Sequence, residues 1–296
     1  MHTKFNIIGI FTLVFAMFIW ASSFIALKSA IGDIGPFSVI FLRMLIASAC
    51  FLYFIKSFLK YTFTKEDLKY ILLLALFEPC LYFIFEAKAL QNTTASQAGM
   101  ITSMMPLITA MGAGFFLKEF ISKQLIFGSS IAVIGAVWLS LEATTTASAP
   151  NPFLGNSLEF CAMICGAGYT IVARYLTEKF SALFITALQS FIGAIFFFPF
   201  FIYEYNTLEM VFSTEAMLWI AYLGVVVTLG GYGLYNYSLT KIEASQASVF
   251  INLIPVFTLV FAVIILKERL TFVELLASAI ILTGVAISQI RYKKKK

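Results

Sequence analysis

One block of this chain occurs twice, 149 residues apart. Ala95, Ser96, Gln97, Ala98, Pro106, Thr109, Ala113, Leu117, Lys118, Glu119, Ser129 and Gly135 recur as Ala244, Ser245, Gln246, Ala247, Pro255, Thr258, Ala262, Leu266, Lys267, Glu268, Ser278 and Gly284. The offset is close to half of the 296 residues, so the chain reads as two fused copies of one unit. Water cannot be the main solvent of either copy: 61% of the residues are hydrophobic and 12% charged, with a mean hydropathy of +0.95.

A bilayer span needs roughly 20 predominantly apolar residues. Ten such stretches are expected at 5–27, 37–55, 68–88, 95–117, 121–141, 155–175, 182–203, 215–237, 244–266 and 271–290. The run from Phe5 to Leu27 is longer than the apolar part of a signal peptide and is followed by nine more, so it reads as a first span. Both termini on the cytoplasmic side put most basic residues there, leaving Lys28, Lys88, Lys267 and Arg269 on the other face and Arg43 within a span. Five spans per copy is an odd number, so the second copy enters the membrane upside down. The expected fold is an all-α membrane protein of ten transmembrane helices in two inverted five-helix repeats, the arrangement common to alternating-access carriers. Residues 1–141 and 155–290 are the repeats, 142–154 a periplasmic linker, and 291–296 a basic cytoplasmic tail lying against anionic lipid.

Pro36-Phe37 with Arg43, Ala95-Ser96 leading to Pro106-Leu107, and Leu117-Lys118-Glu119 before a Gly135-containing span resemble the EamA domain of the drug/metabolite transporter superfamily. Ala244-Ser245, Pro255, Leu266-Lys267-Glu268-Arg269 and Gly284 repeat the pattern, so the resemblance covers nearly the whole chain. It implies a central cavity lined by the third, fourth, eighth and ninth spans with help from the first and sixth. It also implies export of amino acids or related metabolites, often against protons; a minority of such proteins take up S-adenosylmethionine or choline. Lys118-Glu119-Phe120 departs from the Gly-Glu-Arg ending common in that family.

An ionised side chain at the centre of a span costs about 2.5–3.5 kcal/mol on insertion scales and is kept where it faces protein or water. Glu78, Glu86 and Arg43 stand out by this test. At 100° per residue Glu78, Tyr82 and Glu86 form one stripe, bordered by Phe85, whereas the repeat-equivalent positions are Val227, Gly231 and Tyr235. Acidity is therefore expected from the first copy only. Glu78 and Glu86 are the expected ammonium-binding and proton-exchanging groups; Glu86 paired with Lys28, Lys88 or Arg43 is the structural alternative, and Arg43 is expected as a structural charge. Further substrate contacts are expected from Trp20, Gln97, Tyr169, Tyr232, Tyr235, Asn236, Gln246 and Asn252, through cation–π faces or amides that lipid would leave unsatisfied. Pro79, Pro106 and Pro255 are hinge candidates because proline removes a helix hydrogen bond. Gly230, Gly231 and Gly233 allow a close approach to the eighth span.

The carrier reading has rivals. A membrane enzyme using Glu78 and Glu86 as acid and base lacks a nucleophile–base pair, since the one histidine is His2, and eight helical residues separate the carboxyls by about 12 Å. A channel is distinguished by the absence of saturable counterflow. No cofactor is expected: no Walker-type loop occurs, and Cys161 and Cys165 lack further ligands for a metal. The expected partners are a small-molecule solute, membrane lipids and protons, with no nucleic acid and a monomeric unit in the bacterial inner membrane.

Overall fold

The computed structural model describes residues 7–117, 122–142 and 144–288. Lys4, the Lys118-Glu119-Phe120 stretch and the basic tail lie outside the described residues. A helical segment falls over each stretch read from the sequence. We number them α1 (Ile7–Ile31), α2 (Pro36–Leu52), α3 (Lys65–Asn92), α4 (Ala95–Phe116), α5 (Lys123–Leu141), α6 (Pro152–Leu176), α7 (Ala182–Thr207), α8 (Thr214–Leu239), α9 (Ala244–Leu266) and α10 (Phe272–Ser288). Among the described residues six helices are long and apolar enough to cross a membrane: α1 from Ile8, α3, α4, α7, α8 and α9. Shorter apolar helices lie at Pro36–Leu52, Ile126–Leu139 and Phe272–Gly284.

Local chemistry sets the helix ends. Thr64 and Asp67 form a reciprocal capping box at the start of α3. Thr94, Asn151, Ser181 and Ser213 accept from the first-turn amides of α4, α6, α7 and α8. Pro36 and Pro152 occupy first-turn positions, where the missing amide costs nothing. Lys267 ends α9 in a left-handed conformation, φ 57°. That turn brings the Glu268 carboxylate to the start of α4, where it accepts from Ala95 N (3.0 Å), Ser96 N (3.1 Å) and the Ser96 hydroxyl. Glu204, near the end of α7, caps α2 in the same way through Phe37 N, Ser38 N and Ser38 Oγ.

Four helices, α3, α4, α8 and α9, depart from regular α geometry. Wide π turns occupy Leu76–Leu81 in α3, Leu223–Tyr232 in α8 and Ala262–Leu266 at the end of α9. In α3 the turn carries Pro79, and Glu78 has extended backbone (φ −149°, ψ 119°), so the helix is interrupted there. The α8 turn sits at the repeat-equivalent place without a proline. Tight 3₁₀ turns at Thr102–Met104 and Phe250–Asn252 precede Pro106 and Pro255, again at matching points of the two copies.

Packing runs between the copies as much as within them. α1 packs on α8 and α9; α6 packs on the equivalent α3 and α4. α2 lies along α7 and α5 along α10, each beside its own counterpart. At the α5–α10 crossing a methyl built on Gly135 would lie 3.0 Å from Ile281 N and 3.1 Å from Ala277 O. One built on Gly284 would lie 2.5 Å from both Ala132 N and Gly128 O. These contacts exchange under the 149-residue offset, the signature of a two-fold relation, and position advances along one helix as it retreats along the other. The pair is antiparallel. α2 and α7 are antiparallel as well: Glu204 meets the start of α2, while Tyr61, just beyond its end, accepts from Ser181 N at the start of α7.

One end of the bundle, the linker end, is tied by Lys28 Nζ, which donates to the carbonyls of Leu90, Thr93 (2.7 Å) and Ser148 (2.6 Å). The opposite end carries the Asp67–Lys179 ion pair. Large apolar side chains such as Phe11, Leu72, Phe115, Ile134, Ile195 and Leu218 are exposed on the outside of the bundle, as a lipid-solvated surface requires.

Candidate functional site

The polar side chains converge on one internal cavity. α1 contributes Trp20, Ser23 and Phe24, α3 Glu78, Tyr82 and Glu86, and α4 Thr102 and Met105. Met163, Gly166 and Tyr169 come from α6, Tyr232 from α8, and Ile251 and Ile254 from α9. These are the six helices expected from the resemblance, and α2 adds Arg43. The cavity measures about 30 Å³, room for a water molecule.

Both carboxyls are buried, Glu78 3% and Glu86 4% exposed. Tyr232 donates its hydroxyl to Glu78 Oε1, and Tyr82 donates to Glu86 Oε1 at 3.1 Å. The interruption of α3 at Glu78 places that carboxylate against α8, and the regular helix that resumes at Tyr82 sets Glu86 one turn beyond Tyr82. Glu86 is not paired with the lysines considered from the sequence. Lys28 serves backbone carbonyls, and Lys88 Nζ stands 5.1 Å from the Phe37 ring centre.

Arg43, read from the sequence as a structural charge, joins these acids from α2. It is 1% exposed and lines the cavity beside the two acids, yet the Asp67–Lys179 pair is the sole ion pair within 4.0 Å among the described residues. Its Nε donates to Thr228 Oγ1 (2.8 Å), and its guanidinium carbon lies 4.5 Å from the Phe83 ring centre and 5.9 Å from that of Tyr232. Thr228 in turn donates to Leu223 O, five residues back in the wide turn of α8. The turn that loosens α8 thus presents the hydroxyl that orients Arg43.

Tyrosines and amides form a wall behind the cavity. The Tyr169 hydroxyl lies 2.7 Å from Asn236 Oδ1 and 3.0 Å from Gln189 Oε1, and Asn236 Nδ2 donates to Thr186 Oγ1. Tyr235 is fully buried, 2.9 Å from Thr170 Oγ1, with its ring 4.7 Å from that of Trp20. Trp20 lies 4.9 Å from the Tyr232 ring and against Gly231, which leaves room for the indole.

Of the residues read as substrate contacts, Trp20, Glu78, Tyr82, Glu86, Tyr169 and Tyr232 line the cavity. Tyr235 and Asn236 stand one layer behind it. Asn252 is buried between the lining residues Ile251 and Ile254, with its amide unbonded among the described residues. Gln97 sits toward the linker end, bonded to Asn156 and Glu274. Gln246 is at the opposite end, on Glu243. Pro79 falls inside the α3 interruption; Pro106 and Pro255 stand in the first turns of helices that follow the 3₁₀ turns.

Another buried acid was not singled out from the sequence. Glu159 on α6 is 0% exposed, and neither carboxylate oxygen has a hydrogen-bond partner among the described residues. It belongs to the second copy, whereas both acids that line the cavity, Glu78 and Glu86, belong to the first. The cost test that selects Glu78 applies equally to an acid beside the apolar run that follows Glu159 and would have found it.

The match to known proteins follows this anatomy. The model of the EamA-like transporter family fits the chain twice, over residues 7–141 and again over 153–289. The chain belongs to the EamA-like transporter family. It is 29% identical to the Bacillus subtilis protein named "Uncharacterized transporter YetK", over 96% of this chain and 87% of that one. It is 25% identical to an "Uncharacterized transporter" of Archaeoglobus fulgidus, over 93% and 95%. A crystal structure 15% identical in sequence superposes with a TM-score of 0.68 over 95% of this chain and 98% of its own, a likeness of fold. Membership of this EamA family, with helices of membrane-spanning length, makes the chain a multi-pass membrane protein of a transporter class.

Proposed function

We propose that this EamA-family protein is a secondary-active exporter of small amine-bearing metabolites, amino acids above all, working by alternating access with proton exchange at Glu78 and Glu86. The observation that carries the reading is the meeting of two carboxyls and one guanidinium, all buried, around one central cavity. A zwitterionic amino acid is the complement of such a set: its ammonium faces Glu78 and Glu86, and its carboxylate faces the planar donor array of Arg43. A proton and an ammonium compete for the same carboxyl oxygens, so occupancy by one releases the other, which is the coupling a proton-driven exporter needs.

The antiparallel packing of α5 on α10 and of α2 on α7 supports ten crossings in two inverted repeats, because an axis along the bilayer normal would make equivalent helices parallel. The loosened turns at matching places in α3 and α8 supply the bends by which the two copies exchange conformations. Both termini then lie in the cytoplasm and residues 142–154 outside, in a bacterial inner membrane, and one chain holds a complete route. An uptake carrier for a cationic metabolite such as S-adenosylmethionine or choline shares the acids and has less need of Arg43.

The test is a thermal-shift survey of purified protein with amino acids, polyamines, nucleosides and quaternary amines, followed by transport of the stabilising amino acids in vesicles. The expected outcome is accumulation driven by a pH gradient, abolished by a protonophore and lost in Glu78→Gln. Full gradient-driven transport in that variant removes the assignment of the carboxyl.

A further inference from the structure

Glu159 lies on the face of α6 that, one turn further on, lines the cavity with Met163 and then Gly166. A carboxylate with neither donor nor cation beside it bears its full desolvation cost, and no side chain meets that need here. The titratable groups within electrostatic reach of it, among the described residues, are Glu86 and Tyr82, both from α3. Neither supplies positive charge. Among the described residues no group of three or more acidic, Cys or His side chains is placed to hold a metal ion. A proton is the ligand that remains.

We propose that Glu159 is a proton-binding residue that exchanges its proton with Glu86 on the cavity side. In the inward step the O–H bond of the Glu159 carboxylic acid breaks and one forms on the Glu86 carboxylate. Glu159 is then reprotonated by a hydronium ion, whose O–H bond breaks to leave water. This assignment rests on Glu86 being a titrating group, as the transport reading requires.

Infrared difference spectroscopy of the full chain in phosphatidylcholine vesicles, titrated between about pH 4 and 10, reads buried carboxyl bands without any solute. The expected result is a band lost in Glu159→Gln and restored, shifted, in Glu159→Asp. Loss of Glu159 also moves the midpoint of the band assigned through Glu86→Gln by about one pH unit, as coupled sites do. A spectrum unchanged by Glu159→Gln, or an unmoved Glu86 midpoint, overturns the proposal. If Glu78→Gln and Glu86→Gln each remove a band while Glu159→Gln removes none, the relay is wrong and the transport reading stands. If neither Glu78 nor Glu86 gives a band, both fail.

Discussion

Arg43 shows how much one side chain's surroundings decide. Its guanidinium is held by Thr228 and stacked between aromatic rings, which leaves it oriented toward the cavity without being neutralised by Glu78 or Glu86. An arginine so placed presents two parallel donors to a carboxylate, whereas a lysine offers a point charge. Arg43→Lys is therefore expected to weaken binding of amino acids by about 1.5–3 kcal/mol, the worth of a charge-assisted bond, while polyamines without a carboxylate keep their affinity. Parallel thermal-shift titrations of one amino acid and one polyamine check it; equal losses for both ligands contradict a zwitterion-reading Arg43.

At the scale of the element, caps arrive from distant segments. Glu268 stands on the turn after α9 and satisfies three donors at the start of α4. Deleting it in Glu268→Ala leaves those donors bare at a helix terminus, and the expected cost is about 1–2 kcal/mol, read as a lower melting temperature in detergent. Glu268→Gln recovers part of it, since an amide oxygen still accepts. The repeat partner of Glu268 is Glu119, outside the described residues. The wide turns belong to this scale too: each inserts backbone that a regular helix lacks, and every residue beyond it is rotated relative to a straight helical projection. The stripe drawn through Glu78, Tyr82 and Glu86 assumes an unbroken α3. Those three side chains still reach one cavity because the interruption lies at Glu78 itself and the helix from Tyr82 onward is regular.

For the whole molecule, the proposed inversion of the copies makes a prediction about sidedness. Single cysteines at Ser57, between α2 and α3, and at Ser148, in the linker, are expected to react with a membrane-impermeant thiol reagent from opposite faces of the cell membrane, Ser148 from outside, in a background lacking Cys50, Cys80, Cys161 and Cys165. Labelling of both positions from one face contradicts the inverted arrangement. The duplication and the ten apolar stretches are legible in the residues themselves, because hydropathy and period are local properties that need no knowledge of neighbours. The family resemblance rests on the same local signals. So does the cost of an acid in an apolar run, which singles out Glu78 and Glu86 and applies equally to Glu159. Tertiary structure alone decided which of these groups share a cavity, that Arg43 is held there by Thr228, and that Asn236 and Gln97 bond to protein elsewhere. The reason is geometric: contact between helices depends on the rotation and axial shift of each one, and both are set at interrupted turns and interhelical packing that no single segment encodes.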